Sequence, residues 1–324
     1  MLFKIKLFPV LLAGIAALAV SGCEKVEKGF LSEGLRYKSP DLLVDRGVTK
    51  RYDGILFDGS TPPVTFELKE IRPVGGGKLS AEFNTKTKVW LFKQNQKFIA
   101  ATDTTLALLR AKQEEVEIMP YEFNVNNGSF LFTKASINLP LGRYEFDVEA
   151  NNLNGKRFFK NIGQLVIQDH FSDITYAADC SGYDSVTAAF SSAKVVGMTV
   201  KRLNTTGTKV ILKMTDKNGK IFNPKAGQII GRGDRPILES YSRFNKVEIT
   251  DTAMICDYAI APFPLAYVAG YGSYLMYYRI PAQFIKMDDA PAAKVWAANP
   301  RFGFQVLVEG TYEVEIKLTN VEKL

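Results

Sequence analysis

The pattern of apolar and polar positions changes three times along this chain. Leu7 to Val20 is an uncharged, apolar run behind Lys4 and Lys6, closed by Val20-Ser21-Gly22 before Cys23. The run falls short of the roughly 20 residues that cross a bilayer. Its order of basic, apolar and small residues is that of a secretory signal. Residues 23 to 60 are charged and only weakly periodic, the texture of a tether. From Thr61 onward, short alternating runs take over.

Val64 to Lys69 alternates apolar and polar residues, the period of a half-buried strand. Lys88 to Phe92, Tyr121 to Val125, Phe130 to Phe132, Gly142 to Glu149 and Leu165 to Ile167 read the same way. Asn127-Gly128 and Asn154-Gly155 punctuate them as hairpin turns, because both residue types tolerate positive φ. Thr104 to Glu117 predicts the one substantial helix, with Asp103 as its cap and Leu106, Leu109, Gln113 and Val116 at helical spacing. Beyond it, Val195 to Arg202, Lys209 to Met214, Arg243 to Thr250, Tyr274 to Ile280 and Gly303 to Val308 predict strands. Thr311 to Leu318 closes the chain as a hairpin about Glu309-Gly310, and Asp216-Lys217-Asn218-Gly219 is another turn. The expectation is an all-β chain of two tandem β-sandwich domains. An immunoglobulin-like one spans 61–169 and a jelly-roll-like one 170–324, with His170 to Asp184 leading into the second as a linker.

Composition narrows the chemistry. The 324 residues carry a net charge of +7, which falls by two if Lys4 and Lys6 leave with residues 1–22. Basic residues are scattered, so nucleic acid is not an expected partner. The single histidine, His170, and three cysteines supply no metal-ligand spacing, and no cofactor is expected. Cys180 and Cys256 form either a disulfide or two separate buried thiols. No Gly-x-Ser-x-Gly elbow occurs, and Gly75-Gly76-Gly77 lacks the Gly-Lys-Ser/Thr of a phosphate loop. Asp288-Asp289 is the obvious adjacent carboxylate pair, and adjacent residues on a strand face opposite ways, so no enzyme activity is expected. Arg232-Gly233-Asp234 reads as a charged Gly turn.

The remaining signal is aromatic. Tyr258, Phe263, Tyr267, Tyr271, Tyr274, Tyr277 and Tyr278 crowd one stretch, followed by Trp296 and Arg301. Rings stack on the C–H faces of sugars while arginines bond hydroxyls. Tyr267, Tyr271, Tyr277, Arg279, Trp296 and Arg301 are therefore the candidate ligand-binding residues.

Four resemblances add to this reading. Val20-Ser21-Gly22-Cys23 resembles the lipobox of bacterial lipoproteins, which implies lipid on Cys23 and removal of residues 1–22. Leu139 to Phe146 with Asn152 to Gly155 resembles part of a cadherin-like or immunoglobulin-like module, without the acidic clusters that hold calcium in cadherins. Cys23 to Ser32, Leu35-Arg36-Tyr37 and Asp58 to Phe66 together resemble the Bacteroides surface lipoproteins grouped as domain of unknown function 5007. That likeness implies an outer-membrane protein exposed at the cell surface, in the company of glycan-uptake proteins. Asp103-Thr104-Thr105, Asp184-Ser185-Val186 and Asp251-Thr252-Ala253 match the Bacteroidetes O-glycosylation pattern, which implies modification at Thr104, Ser185 and Thr252. The expected function is non-catalytic binding of a glycan or glycoprotein at the membrane surface. The alternative is a structural adhesin or assembly subunit.

Overall fold

The computed structural model describes residues 30–288 and 295–324. The signal segment, Cys23 and Asp289 lie outside them. The described chain is all-β and forms two sandwiches, each around its own apolar core. No helix among the described residues is long and apolar enough to cross a membrane.

In the first sandwich one sheet runs in the order Asp41–Asp45, Gly155–Gln168, Gly142–Asn152, Thr65–Pro73. The other runs Lys50–Arg51, Phe130–Phe132, Tyr121–Phe123. This is the strand order of an immunoglobulin-type sandwich, with the opening strand parallel to the last one. Residues 30–60 are therefore not a tether. Leu35, Tyr37, Leu42, Val44, Tyr52 and Ile55 are buried in the first core, and Tyr37 donates its hydroxyl to the Gly128 carbonyl. Two short strands are too brief to show a period, and the first finds its partner at Gln164 to Gln168. Nothing local marks it as a strand.

The predicted helix is less than half as long as expected. It spans Leu106–Ala111 and is capped by Thr105, whose hydroxyl accepts from the Leu108 amide. Asp103 instead accepts the Ile99 amide and pairs with Lys112 at 2.6 Å. The second half, Gln113–Ile118, is a strand paired with Thr87–Phe92. Its alternating QEEVEI pattern fits either period, and cross-strand pairing decides it.

In the second sandwich one sheet runs Ala189–Phe190, Ser172–Asp184, Trp296–Val306, Leu275–Arg279, Ile230–Gly231. The other runs Gly197–Asn204, Gly310–Lys317, Thr208–Thr215, Met254–Asp257, Glu248–Ile249. Cys180, Met276, Tyr278, Phe302 and Phe304 of the first face Val210, Leu212, Cys256, Val314 and Ile316 of the second. Two facing sheets are kept, as in a jelly roll. Thr208–Thr215 runs parallel to Gly310–Lys317, however, which departs from jelly-roll pairing. Two further expectations are corrected. Residues 172–184 are not a linker but a long strand whose Ala178 and Cys180 enter the core. The strands on either side of Glu309 do not pair as a hairpin, because each belongs to a different sheet. Asp216 does close a turn. It is buried and accepts the amides of Asn218, Lys220 and Lys323.

Cys180 and Cys256 are buried free thiols, not a disulfide. They sit on opposite sheets, and facing sheets lie about 10 Å apart, beyond the reach of a disulfide. Burial pushes the Cys180 thiol up to about 12 and the Cys256 thiol up to about 11. A Cys23→Ser chain is expected to react with a thiol reagent only after unfolding, with a melting temperature indifferent to reductant. Protection that vanishes on adding reductant would contradict the assignment.

Candidate functional site

The outer face of the Ser172–Asp184 sheet carries the site. Along Trp296–Val306, Trp296, Ala298, Phe302 and Phe304 point into the core, so Asn299 and Arg301 point out. The same alternation buries Met276, Tyr278 and Ile280 and turns Tyr277 and Arg279 outward. Cross-strand register then builds rows. Asp179 lies opposite Arg301, and Arg301 opposite Tyr277. Arg232 continues that row by donating its backbone amide to the Tyr277 carbonyl. The neighbouring row holds Ser181, Asn299 and Arg279, with the Arg279 Nε donating to Asn299 Oδ1 at 2.9 Å.

Aromatic rings lie beneath and between the guanidinium groups. Arg279 stacks 4.0 Å from the Tyr183 ring centre. Arg301 covers Tyr176 at 5.2 Å, and its Nε donates to both oxygens of Asp179 at 2.8 Å. Arg232 and Arg235 flank the Tyr277 ring at 5.9 and 5.1 Å, and Arg232 also covers Phe190 at 5.2 Å. Tyr271 meets Tyr277 edge-on at 5.7 Å, and Tyr183 packs on Phe190 at 5.0 Å. Cation–π contact holds each guanidinium against a ring without using up its N–H donors.

Charge on this face is unbalanced. Burial first, then the charges of Arg235, Arg279 and Arg301, holds the Arg232 guanidinium below its ordinary range. For Arg301 burial acts downward, but the hydrogen bond and charge of Asp179 outweigh it and raise the group. Asn299 is 1% exposed, and its Nδ2 has no hydrogen-bond partner among the described residues. A buried amide left this way is rare in folded proteins and points to a ligand or solvent group outside the chain.

The candidate residues thus divide. Tyr271, Tyr277, Arg279 and Arg301 come together on one face. Trp296 does not join them, because it sits one residue out of phase and packs into the core. A Cβ at Gly182 would lie 2.8 Å from the Trp296 ring, so the glycine makes room for the indole. Tyr267 is also elsewhere. It stacks on Tyr274 at 4.2 Å and lines a shallow hollow with Ala100, Tyr241 and Arg243. Arg235, Tyr176, Asp179, Tyr183 and Asn299 are not among the residues the sequence marks out, and Arg232 is marked only as part of a Gly turn. The alternation of Asp179, Ser181 and Tyr183 was legible once residues 172–184 are taken as a strand. The place of Arg232 and Arg235 beside Tyr277 left no local signal.

The other marked residues carry less. Asp288 pairs with Lys217 at 2.6 Å. His170 bonds Asp173 at the surface. Thr104, Ser185 and Thr252 are exposed.

No known protein-family model matches this chain, and no curated protein does either. The likeness to surface lipoproteins rests on the residues quoted for it.

Proposed function

We propose that this protein is a non-catalytic binding protein of the cell envelope. Lipid on Cys23 tethers it to the outer membrane, the first sandwich acts as a spacer, and the second binds a glycan or glycoprotein. Outer-membrane uptake proteins are its expected neighbours. The observation that carries the binding reading is the row Asp179, Arg301, Tyr277, Arg232, laid across three strands and the residue that follows a fourth, on the outer face of the sheet. Rigid strands fix the spacing of rings and guanidinium forks, which suits an extended chain of sugars. The lipid anchor rests on the basic start, the apolar run and the small residues before Cys23.

A glycan array probed with the purified chain tests this. Saturable binding is expected, weakened about tenfold by Tyr183→Ala or Arg279→Ala, as for central contact residues of an interface. Trp296→Ala should lower the melting temperature instead, because its indole lies on the core side. A folded protein that binds no glycan would overturn the reading. Concentration-dependent self-association without sugar would then favour the adhesin or assembly alternative.

A further inference from the structure

We infer that the ligand of the arginine face is an acidic oligosaccharide, one that presents carboxylate or sulfate groups to Arg232, Arg235 and Arg279. The inference rests on the glycan-binding reading and narrows it to a chemical class.

The charge pattern leads to it. Of the four arginines, only Arg301 has a carboxylate partner among the described residues, namely Asp179. Arg232, Arg235 and Arg279 meet rings instead, at Phe190, Tyr277 and Tyr183. Rings orient a guanidinium without cancelling its charge. The groups stand close enough that Arg235, Arg279 and Arg301 all disfavour the charged form of Arg232. Like charges gathered without counter-charge are a standing repulsion, and an anion bound among them removes it.

The hydrogen-bond pattern agrees. Asn299 gives its carbonyl oxygen to Arg279 and keeps an unpartnered amide nitrogen beneath the face. That nitrogen can only donate, and so can the N–H groups of the three guanidinium groups. A site made almost wholly of donors fits a group made wholly of acceptors. A carboxylate or a sulfate ester is such a group, and it takes a planar guanidinium edge in two parallel bonds. A neutral sugar offers hydroxyls that both donate and accept, and it leaves the surplus charge in place. The acid group accepts from Asn299 and the arginines, while the ring of Tyr271 remains for the sugar's C–H surface.

The test is calorimetric titration of the purified protein with two panels at about 0.15 M salt, where the screening length is about 8 Å. The acidic panel holds oligogalacturonate, a sialylated oligosaccharide and a heparin-derived oligosaccharide. The neutral panel holds their counterparts: carboxyl-reduced oligogalacturonate, the carboxyl-reduced sialylated oligosaccharide, and desulfated, N-acetylated, carboxyl-reduced heparin oligosaccharide. At least one acidic probe should bind, with its neutral counterpart about tenfold weaker or more. The double variant Arg232→Gln with Arg235→Gln should weaken the acidic probe by about 100-fold. Lys201→Gln with Lys209→Gln removes the same charge from exposed positions on the opposite sheet and should leave binding unchanged. Thermal melts establish that both double variants fold. Equal binding of neutral and acidic partners would overturn the acidic class and leave the glycan reading standing. Equal losses in the two double variants would show attraction to net charge alone and overturn the site. Silence from every probe in both panels would overturn the acidic class, and the array result then decides the glycan reading separately.

Discussion

Phe146→Ala is expected to destabilise the first sandwich by about 3–5 kcal/mol, the cost of removing a large ring from a rigid core. Phe146 is fully buried and meets Phe130 and Tyr37 edge-on, at 5.1 and 5.6 Å between ring centres. On the opposing strand it faces Gly163, where an added Cβ would lie 2.9 Å from the ring. The ring thus fills space that the glycine leaves open, and neither strand can close over its loss without breaking sheet pairing. The two tryptophans make the result readable. Trp296 lies in the second core, and Trp90 lies on the hairpin strand Thr87–Phe92. In a Trp90→Phe background, indole fluorescence follows the second sandwich alone. Urea titration by circular dichroism should show an early transition in Phe146→Ala, while the fluorescence transition stays near its original midpoint. A loss under 1 kcal/mol would mean that the core collapses freely around the site, against the packing described.

Arg72→Met is expected to cost a similar amount, about 3–5 kcal/mol, by stranding a buried carboxylate. Asp147 has a side chain only 6% exposed and is gripped by two Arg72 nitrogens at 2.7 and 2.9 Å. Arg72 also holds Glu145 at 2.7 Å. Asp147 accepts the Asn161 amide at 2.7 Å, at a place where the pairing of both flanking strands shifts register. The pair therefore pins two bulges. Burial raises the Asp147 carboxyl, but the Arg72 bonds and charge, the Asn161 amide and the Lys160 charge outweigh it and hold the group below its ordinary range. The sign follows. A carboxyl depressed in the folded state contributes stability in full above its unfolded pKa of about 3.9, and loses it as pH falls through the folded value. Without Arg72 the same group is raised by burial, so acid no longer works against the fold there. The gap between wild type and Arg72→Met should narrow from pH 7 toward pH 3. Adding Asp147→Asn to Arg72→Met should restore part of the loss at neutral pH, because the amide oxygen still accepts from Asn161 without carrying charge. A double variant no better than the single one would count against the buried charge as the cause.

Much of the first sandwich was legible from local pattern. Gly142 to Glu149 alternates, and the strand found there is Gly142–Asn152. Its turn with Gly155–Gln168 falls beside Asn154-Gly155, as the dipeptide indicates. Asp41–Asp45 was missed because a parallel strand takes its meaning from a partner more than 100 residues away. Of the candidate site, Tyr277 and Arg279 share one face, since alternate residues of a strand lie on the same side whatever surrounds them. Trp296 was misplaced for a related reason. Periodicity separates two faces but does not say which one is buried.

The residues alone determined that this chain forms strands and not helices, where most of its hairpins turn, and which short runs have two unlike faces. Those are near-neighbour properties, set by side-chain alternation and by the backbone freedom of Asn and Gly. Tertiary structure decided the rest. It placed residues 172–184 at the centre of a core, sent Cys180 and Cys256 to opposite sheets, and set Arg232 and Arg235 beside Tyr277. Each of these depends on which strands pair and in what register. That choice minimises exposed apolar surface and unpaired backbone over the whole chain, so no single segment contains it.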